Sequence, residues 1–127
     1  MDLTNLYDIL TQSKVDENVG IKVEKLTGDN YFSFYVAEIA PQKYVRPHYH
    51  SKGNEIYQIL EGNGLMKIGT VSLNKICWEN EFNVKKGDCF TIVENKVHQL
   101  FNVDSQKLIA IFGCPASHLG NDRFFVE

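Results

Sequence analysis

The sequence lacks long apolar runs and clusters of basic residues. No segment approaches the ~20 consecutive apolar residues that a membrane-spanning helix needs. The 13 basic and 16 acidic side chains give a formal net charge of -3, which argues against binding to nucleic acids or membrane surfaces. The first residues also lack the basic and then apolar character of a signal peptide. We therefore expect a cytoplasmic protein without nucleic-acid or membrane partners.

Cysteine is also scarce. Cys77, Cys89 and Cys114 form an odd set without a CxxC spacing, which argues against a disulfide framework or a CxxC metal site. We expect free thiols that pack as small hydrophobic side chains in a reducing compartment. If any of the three acts as a thiolate, the sequence favours Cys114, which directly precedes a proline.

The residues that are present suit one domain covering residues 1–127, without internal repeats or a domain-separating linker. Only the beginning of the chain has helical periodicity, through Leu3, Leu6, Tyr7 and Leu10. This pattern predicts a short amphipathic helix over about residues 3–12, with Asp2 as its N-cap. We expect the helix to pack on the outside of the main fold or on a partner.

From Ile21 onward, apolar and polar residues alternate with period two between Gly, Asn and Asp turns. The pattern predicts about ten short strands, and therefore an all-β sandwich or barrel. Residues 108–112 are apolar on both faces, as expected for a strand buried between two layers. Residues 62–64 are predicted to form a hairpin turn, and residues 72–80 an irregular spacer.

Two short segments carry three of the four histidines. His48 and His50 lie on the same face if their segment is extended, and Glu55 returns to that face if residues 51–54 bend. His98, in the second segment, supplies a third imidazole. Three imidazoles and one carboxylate suit one divalent transition metal ion (Fe, Mn, Zn or Ni) with coordination positions left for water or substrate.

The spacing of these residues resembles the two motifs of the cupin superfamily. The first motif, G-x5-HxH-x3–4-E-x6-G, is matched at His48, His50, Glu55 and Gly62. The second motif, G-x5-PxG-x2-H-x3-N, is matched at Gly87, His98 and Asn102. Where the family has Gly, Pro and Gly, this sequence has Gln42, Val93 and Asn95. Asparagine tolerates the left-handed conformation that a turn at position 95 needs.

The resemblance covers residues 48–62 and 87–102 and implies a double-stranded β-helix, a small jelly-roll barrel, with a short N-terminal helix added here. It implies that the metal ligands line the inside of the barrel and that the protein is a homodimer. Asn102 is expected to close a turn rather than to touch a substrate.

Strand alternation suggests two further residues that contact a substrate. Arg46 shares the face of His48 and His50, where a cation would suit an anionic or carbonyl-bearing ligand. It could equally lie at the rim and pair with a carboxylate. Tyr57 follows Glu55 by two positions and should point into the cavity, either to orient a ligand or to pack in the core. Tyr57 is also the one catalytic base that the pattern suggests.

The C-terminal segment lies outside both motifs. His118 is expected at the surface, because most isolated histidines are at least partly exposed. Asp122 and Arg123 are expected to form a local salt bridge or to contact a partner chain.

These observations favour a metal-dependent cupin enzyme acting on a small oxygen-bearing organic substrate. Isomerisation or epimerisation requires a base near the metal, and dioxygenation requires a redox metal with open positions. The alternative is a non-catalytic module that binds or senses a small molecule.

Overall fold

A computed structural model describes residues 3–14 and 20–126 of the chain. Its helix α1 (Leu6–Gln12) is shorter than predicted, because the Asn5 side chain accepts hydrogen bonds from the backbone N–H groups of Tyr7 and Asp8. Such a cap defines the first turn of a helix, so the prediction of Asp2 as the cap was wrong, although Asp2 itself lies outside the described residues. In these ranges no helix is long and apolar enough to cross a membrane.

Within residues 20–126 the structure has ten strands. They are β1 (Ile21–Gly28), β2 (Ser33–Ile39), β3 (His48–Tyr49), β4 (Glu55–Glu61), β5 (Asn63–Ser72), β6 (Lys75–Lys85), β7 (Cys89–Ile92), β8 (Val97–Asn102), β9 (Leu108–Cys114) and β10 (Phe124–Phe125). A 3-10 turn, Ala116–Leu119, lies between β9 and β10. The strands form two antiparallel sheets, in the orders β1-β2-β9-β4-β7 and β10-β3-β8-β5-β6. The predicted all-β double-stranded β-helix with a short N-terminal helix is confirmed.

The hydrophobic core lies between the inner faces of the two sheets. Ile59 of β4 and Leu108 of β9 belong to one sheet, Met66 of β5 belongs to the other, and all three are fully buried. As predicted, β9 is buried on both faces: Leu108 faces this core, and Ile109 packs under α1. The helix covers the outer face through Leu10, which is 4% exposed. The first sheet is therefore buried on both sides where α1 packs on it.

The turns differ from the prediction in two places. Gly62 connects strands of different sheets, because β4 pairs with β7 and β9 whereas β5 pairs with β6 and β8. The hairpin predicted over residues 62–64 was therefore wrong. The observed hairpin joins β5 to β6 through Leu73 and Asn74, both with positive φ, as in the tight turns that suit strand twist. Most of the predicted spacer is consequently strand.

Two motif positions occupied by glycine in the family are left-handed here without glycine. Gln42 has φ 64° and Asn95 has φ 68°, so the backbone turn is retained at both positions. The Asn95 N–H donates to the carbonyl of His50 at 2.7 Å, which fixes the β7–β8 turn against the histidine segment. The expected tolerance of Asn95 for this conformation is confirmed.

The cysteines are all free thiols. Cys114 is fully buried and packs in the core, as expected, whereas Cys77 and Cys89 are exposed, so the expectation of packing was wrong for these two. Burial, together with the Glu55 carboxylate, raises the pKa of the Cys114 thiol. Cys114 therefore stays protonated at neutral pH, which argues against a thiolate role.

Candidate metal centre

The four predicted ligand residues come together between the sheets. His48 of β3 lies directly opposite His98 of β8 in the strand register. His50 follows β3, and Glu55 is the first residue of β4. All four side chains are buried. A set of buried imidazoles and a carboxylate is unusual unless the groups are paired or bind a metal.

The three imidazoles are held in the same tautomer by backbone carbonyls. Each ring has its Nδ1 within hydrogen-bond distance of a carbonyl oxygen: His48 to Arg46 at 2.8 Å, His50 to Asp122 at 2.6 Å and His98 to Lys96 at 3.2 Å. A carbonyl only accepts hydrogen bonds, so each Nδ1 carries the hydrogen and each Nε2 keeps a lone pair. Imidazoles that bind metals are usually oriented in this way.

The donor atoms of the three histidines converge. The ligating nitrogens of His48, His50 and His98 lie within 4.8 Å of one another. Among the described residues, no hydrogen-bond partner exists for the buried Nε2 atoms of His50 and His98. A buried unpaired polar atom costs about 1–3 kcal/mol. A cation at this point would satisfy both nitrogens.

Glu55 completes the donor set. Its Oε2 lies 2.8 Å from the His50 Nε2, without hydrogen-bond geometry, and its Oε1 lies 3.9 Å from the His98 Nε2. A lone pair and a carboxylate oxygen that face each other at such a distance repel unless positive charge lies between them. The residues therefore fit a divalent metal ion, for which imidazole and carboxylate are ordinary ligands.

The ionisation of the site favours metal binding. Burial, reinforced by the neighbouring His98 ring, lowers the pKa of His48 to about 3, and burial lowers the pKa of His98. Burial alone would raise the pKa of Glu55, but the hydrogen bond from His118, together with the adjacent His50 and His98 rings, outweighs it and holds that pKa well below its usual range. At neutral pH, His48 and His98 are neutral and Glu55 is ionised, as metal ligation requires.

His118 is part of this centre, and its predicted surface location was wrong. The side chain is fully buried. Its Nδ1 lies 2.9 Å from the Glu55 Oε2, its Nε2 lies 2.6 Å from the Lys52 carbonyl, and its ring stacks on His50 at 3.9 Å between centroids. Both nitrogens face acceptors, so both carry hydrogen and the ring is an imidazolium. Burial lowers the pKa of His118, but the bonds to Glu55 and Lys52 outweigh it and raise that pKa overall.

Asp122 also belongs to the centre, where its carboxylate binds the loop after His50 instead of forming the expected local salt bridge. Its carboxylate accepts hydrogen bonds from the Ser51 N–H at 2.8 Å, the Ser51 hydroxyl at 2.7 Å and the Lys52 N–H at 3.0 Å. Its backbone carbonyl accepts the His50 Nδ1–H. Asp122 thus fixes the loop between two ligand residues. No motif spacing could have indicated this, because about 70 residues separate the partners.

Arg46 takes the outer of the two positions that the sequence left open. It is exposed, and its guanidinium lies 4.4 Å from the centroid of the Phe125 ring. Strand β3 contains only two residues, so the alternation of side chains does not extend back to Arg46, and Val45 lines the cavity instead. Arg123 lies on the same Phe125 ring, at 5.1 Å, and does line the cavity.

Tyr57 is buried and lines the cavity, with its ring stacked on Phe90 and Phe112. Burial and the adjacent Glu55 carboxylate raise the pKa of Tyr57 well above its usual value. The phenol is therefore protonated at neutral pH and can donate a hydrogen bond rather than act as a base. Asn102, as expected, closes a turn: its amide donates to the carbonyls of Ile39 and Gln106.

The cavity in front of the donor set is small, with a volume of about 70 Å³. One wall carries the histidines, Glu55 and Tyr57. The remaining wall is mainly apolar and is formed by Val23, Ala37, Ile39, Val45, Leu100, Phe112 and Leu119. Arg123 is an exposed, charged residue of the lining. The space suits a ligand with few non-hydrogen atoms and one anionic group.

A double-stranded β-helix with three imidazoles and a carboxylate facing its interior fits a metal-dependent barrel protein. The family model described as Cupin matches residues 7–125, and the chain belongs to the cupin family. The resemblance predicted from the two motifs is thereby confirmed.

Two curated relatives come from Oryza sativa subsp. japonica. The putative germin-like protein 12-4 is 37% identical over 103 residues, which are 76% of this chain and 44% of that protein. The germin-like protein 12-1 is 36% identical over 103 residues, with the same two coverages. The chain thus spans less than half the length of these relatives.

Two solved structures share the fold. One is described as oxalate oxidase in complex with the substrate analogue glycolate; it has a TM-score of 0.71 and 22% identity, over 90% of this chain and 59% of that chain. The other is KdgF from Halomonas sp., with a TM-score of 0.71 and 12% identity, over 91% and 94% of the two chains. At these identities the likeness concerns the fold.

Proposed function

We propose that the chain is a metal-dependent cupin enzyme that acts on a small, anionic, oxygen-bearing organic substrate. The observation that carries the proposal is the convergence of three imidazoles, each fixed through Nδ1–H, beside an ionised carboxylate. His48, His50, Glu55 and His98 would hold one divalent transition metal ion. When bound, such an ion supplies Lewis acidity towards a substrate oxygen.

Other residues would bind and orient the substrate. Arg123 would attract its anionic group, and Arg46, on the same aromatic ring of Phe125, would add positive charge at the rim. Tyr57, protonated and buried, would donate a hydrogen bond inside the cavity. The apolar wall would exclude water and so strengthen these electrostatic contacts.

Oxidation by O2, as in a dioxygenase, is favoured over isomerisation or epimerisation. Proton abstraction needs a positioned base, but Tyr57 is protonated and His118 has both nitrogens engaged. Outside the donor set, no other basic group suited to this task lines the cavity in the described part of the chain. The oxalate oxidase structure, described with glycolate, suggests oxalate and glycolate as first test compounds.

A non-catalytic binding or sensing module is the second candidate. The small cavity supports this candidate, and so does the lack of a suitable base among the described residues that line it, because both are compatible with a ligand that is held and released unchanged. The same metal centre would serve this function.

Elemental analysis of untagged protein purified without chelator tests the proposal. We expect about one divalent metal ion per chain, and loss of that ion in a His48→Ala/His98→Ala double variant whose circular dichroism spectrum is unchanged. The loaded protein is then assayed for O2 consumption with oxalate, glycolate and related hydroxy and keto acids. Saturable binding without turnover would favour the sensing module. A wild type that takes up no metal, even after reconstitution, would overturn the metal-dependent enzyme and leave a module that binds a small molecule without metal as the better account.

We also propose that residues 1–127 form one domain that assembles as a homodimer in the cytoplasm. Support for self-association comes from exposed apolar side chains, Leu73, Phe124 and Phe125, which line one surface groove. Multi-angle light scattering is expected to give the mass of two chains. A monomer mass at every concentration would contradict the dimer.

A further inference from the structure

The Glu55 carboxylate has a buried partner that the cupin motifs do not include. The His118 Nδ1–H donates to Oε2 at 2.9 Å, and the His118 Nε2–H donates to the Lys52 carbonyl at 2.6 Å. The ring is fully buried and is nearly parallel to the His50 ring, with 2° between the planes. Three constraints therefore fix one imidazole, and two of them act on residues proposed to bind the metal.

We infer that His118 is a positioning residue that holds the Glu55 carboxylate in the orientation required for metal binding. This inference rests on the proposed metal-dependent function. His118 lies within 4.8 Å of the donor atoms of His50 and Glu55, but we assign it no ligand role, because both of its nitrogens are engaged with oxygen acceptors. In contrast, His50 and His98 each present an Nε2 without a hydrogen-bond partner. The two kinds of histidine thus have different tasks.

The orientation of Glu55 depends on this contact because the residue follows an irregular loop. Glu55 begins β4, and residues 51–54 before it have no regular strand structure. A hydrogen bond to Oε2 restricts rotation of the carboxylate and leaves Oε1 available to a cation. Partners of this kind typically contribute 10- to 100-fold to metal affinity.

Close packing between Gly53 and the C-terminal segment keeps His118 in place. Gly53 has φ 84°, and a Cβ at that position would lie 2.9 Å from the Pro115 Cγ and 3.7 Å from the His118 Nε2. Only glycine combines this left-handed conformation with so close an approach. The loop and the 3-10 turn that carries His118 (Ala116–Leu119) therefore fit together as a unit.

Two substitutions of His118 test its two hydrogen bonds one at a time. In His118→Asn, the side-chain amide reaches about as far as Nδ1, so the donor to Glu55 is retained. In His118→Gln, the amide reaches about as far as Nε2, so the donor to the Lys52 carbonyl is retained and the donor to Glu55 is lost. If His118 only stabilised the fold, the two variants would bind metal with similar affinity. If His118 positions Glu55, only His118→Gln would bind metal more weakly.

Cobalt(II) is the probe, with affinity measured by competition against a chelator and coordination followed by visible absorption. We expect His118→Gln to bind Co(II) about 10- to 100-fold more weakly than the wild type, with an altered absorption spectrum. His118→Asn is expected to stay within about threefold of the wild type and to keep its spectrum. Equal affinities and spectra for the wild type and His118→Gln would overturn the inference, as would an equal loss in both variants.

Crystal structures of the metal-free wild type and the two variants give a readout that needs no metal. We expect the Glu55 carboxylate to keep its position in the wild type and in His118→Asn, and to move in His118→Gln. An unchanged carboxylate in His118→Gln would overturn the inference. A wild type that binds no Co(II) would instead count against the proposed function, and the crystal structures would still decide the role of His118.

Discussion

Replacement of Asp122 by alanine is expected to lower the free energy of unfolding by about 3 kcal/mol. The buried carboxylate accepts three hydrogen bonds, two from Ser51 and one from the Lys52 N–H. Hydrogen bonds to a charged acceptor contribute roughly 1.5–3 kcal/mol each. The expected loss is smaller than the sum of three such hydrogen bonds, because the loop can relax towards solvent and its donors can bind water. Urea unfolding of the metal-free protein measures the difference.

Asp29→Ala is the matched control. Asp29 also accepts two backbone hydrogen bonds, from the N–H groups of Tyr31 and Phe32, but it lies in an exposed turn. We expect that substitution to lower the free energy of unfolding much less than Asp122→Ala does, because water can replace the lost acceptor. Equal losses in the two variants would contradict the special importance of Asp122 for the loop between His50 and Glu55.

The placement of the metal-site residues could be predicted from local geometry. His48 and His50 are two residues apart, and Asn95 and Gly62 supply positive φ where the chain turns. These features depend on backbone conformations within a few residues. His98 joins the other three ligands through the register of β3 against β8, which the motif resemblance and not local geometry indicated, and metal binding itself stays a prediction.

The surroundings of the ligands could not be predicted in the same way. His118 is 63 residues from Glu55 in sequence, and their contact arises only because β9 returns beside β4. The sequence around His118 offers no spacing that identifies its partner. Arg46 shows a second limit, since side-chain alternation could not decide between an inward and a rim position when strand β3 contains only two residues. Local patterns therefore predict ligands better than the partners that orient them.

The turn errors have a related cause. Glycine and asparagine at residues 62–64 have the composition of a hairpin, but the chain there passes from one sheet to the other. The added Cβ of a residue at Gly62 would lie 2.5 Å from the Lys107 carbonyl oxygen, so glycine is required for close backbone packing. Leu73, with φ 52°, adopts a conformation that leucine rarely takes. Composition alone could not distinguish the two turns.

The metal-free protein is expected to lose about 3 kcal/mol of stability between pH 7 and pH 4. The pKa of His48 is about 3 in the folded protein, against an ordinary value of 6.5. As the pH falls through this interval, the unfolded chain binds a proton that the folded protein does not, so acidification favours unfolding. The free energy of unfolding then falls by about 1.4 kcal/mol for each pH unit. The lowered pKa of His98 acts in the same direction.

The other ionisable groups of the centre limit this effect to a defined pH range. Glu55 also has a lowered pKa, but its contribution is lost only as the pH falls below about 4.5. His118 has a raised pKa, so its contribution is complete below pH 6.5 and is lost as the pH rises through its folded value. The histidines His48 and His98 therefore dominate the slope between about pH 6 and pH 4.5.

Urea unfolding in the presence of a chelator, repeated at intervals of half a pH unit, measures this slope. His48→Asn is the control, because its amide retains a donor for the Arg46 carbonyl and removes the titrating ring. We expect the variant to reduce the slope by about 1.4 kcal/mol per pH unit, which corresponds to one proton. An unchanged slope would mean that His48 titrates normally and is not desolvated between the sheets. The proton that competes with the metal at low pH would then bind at another residue.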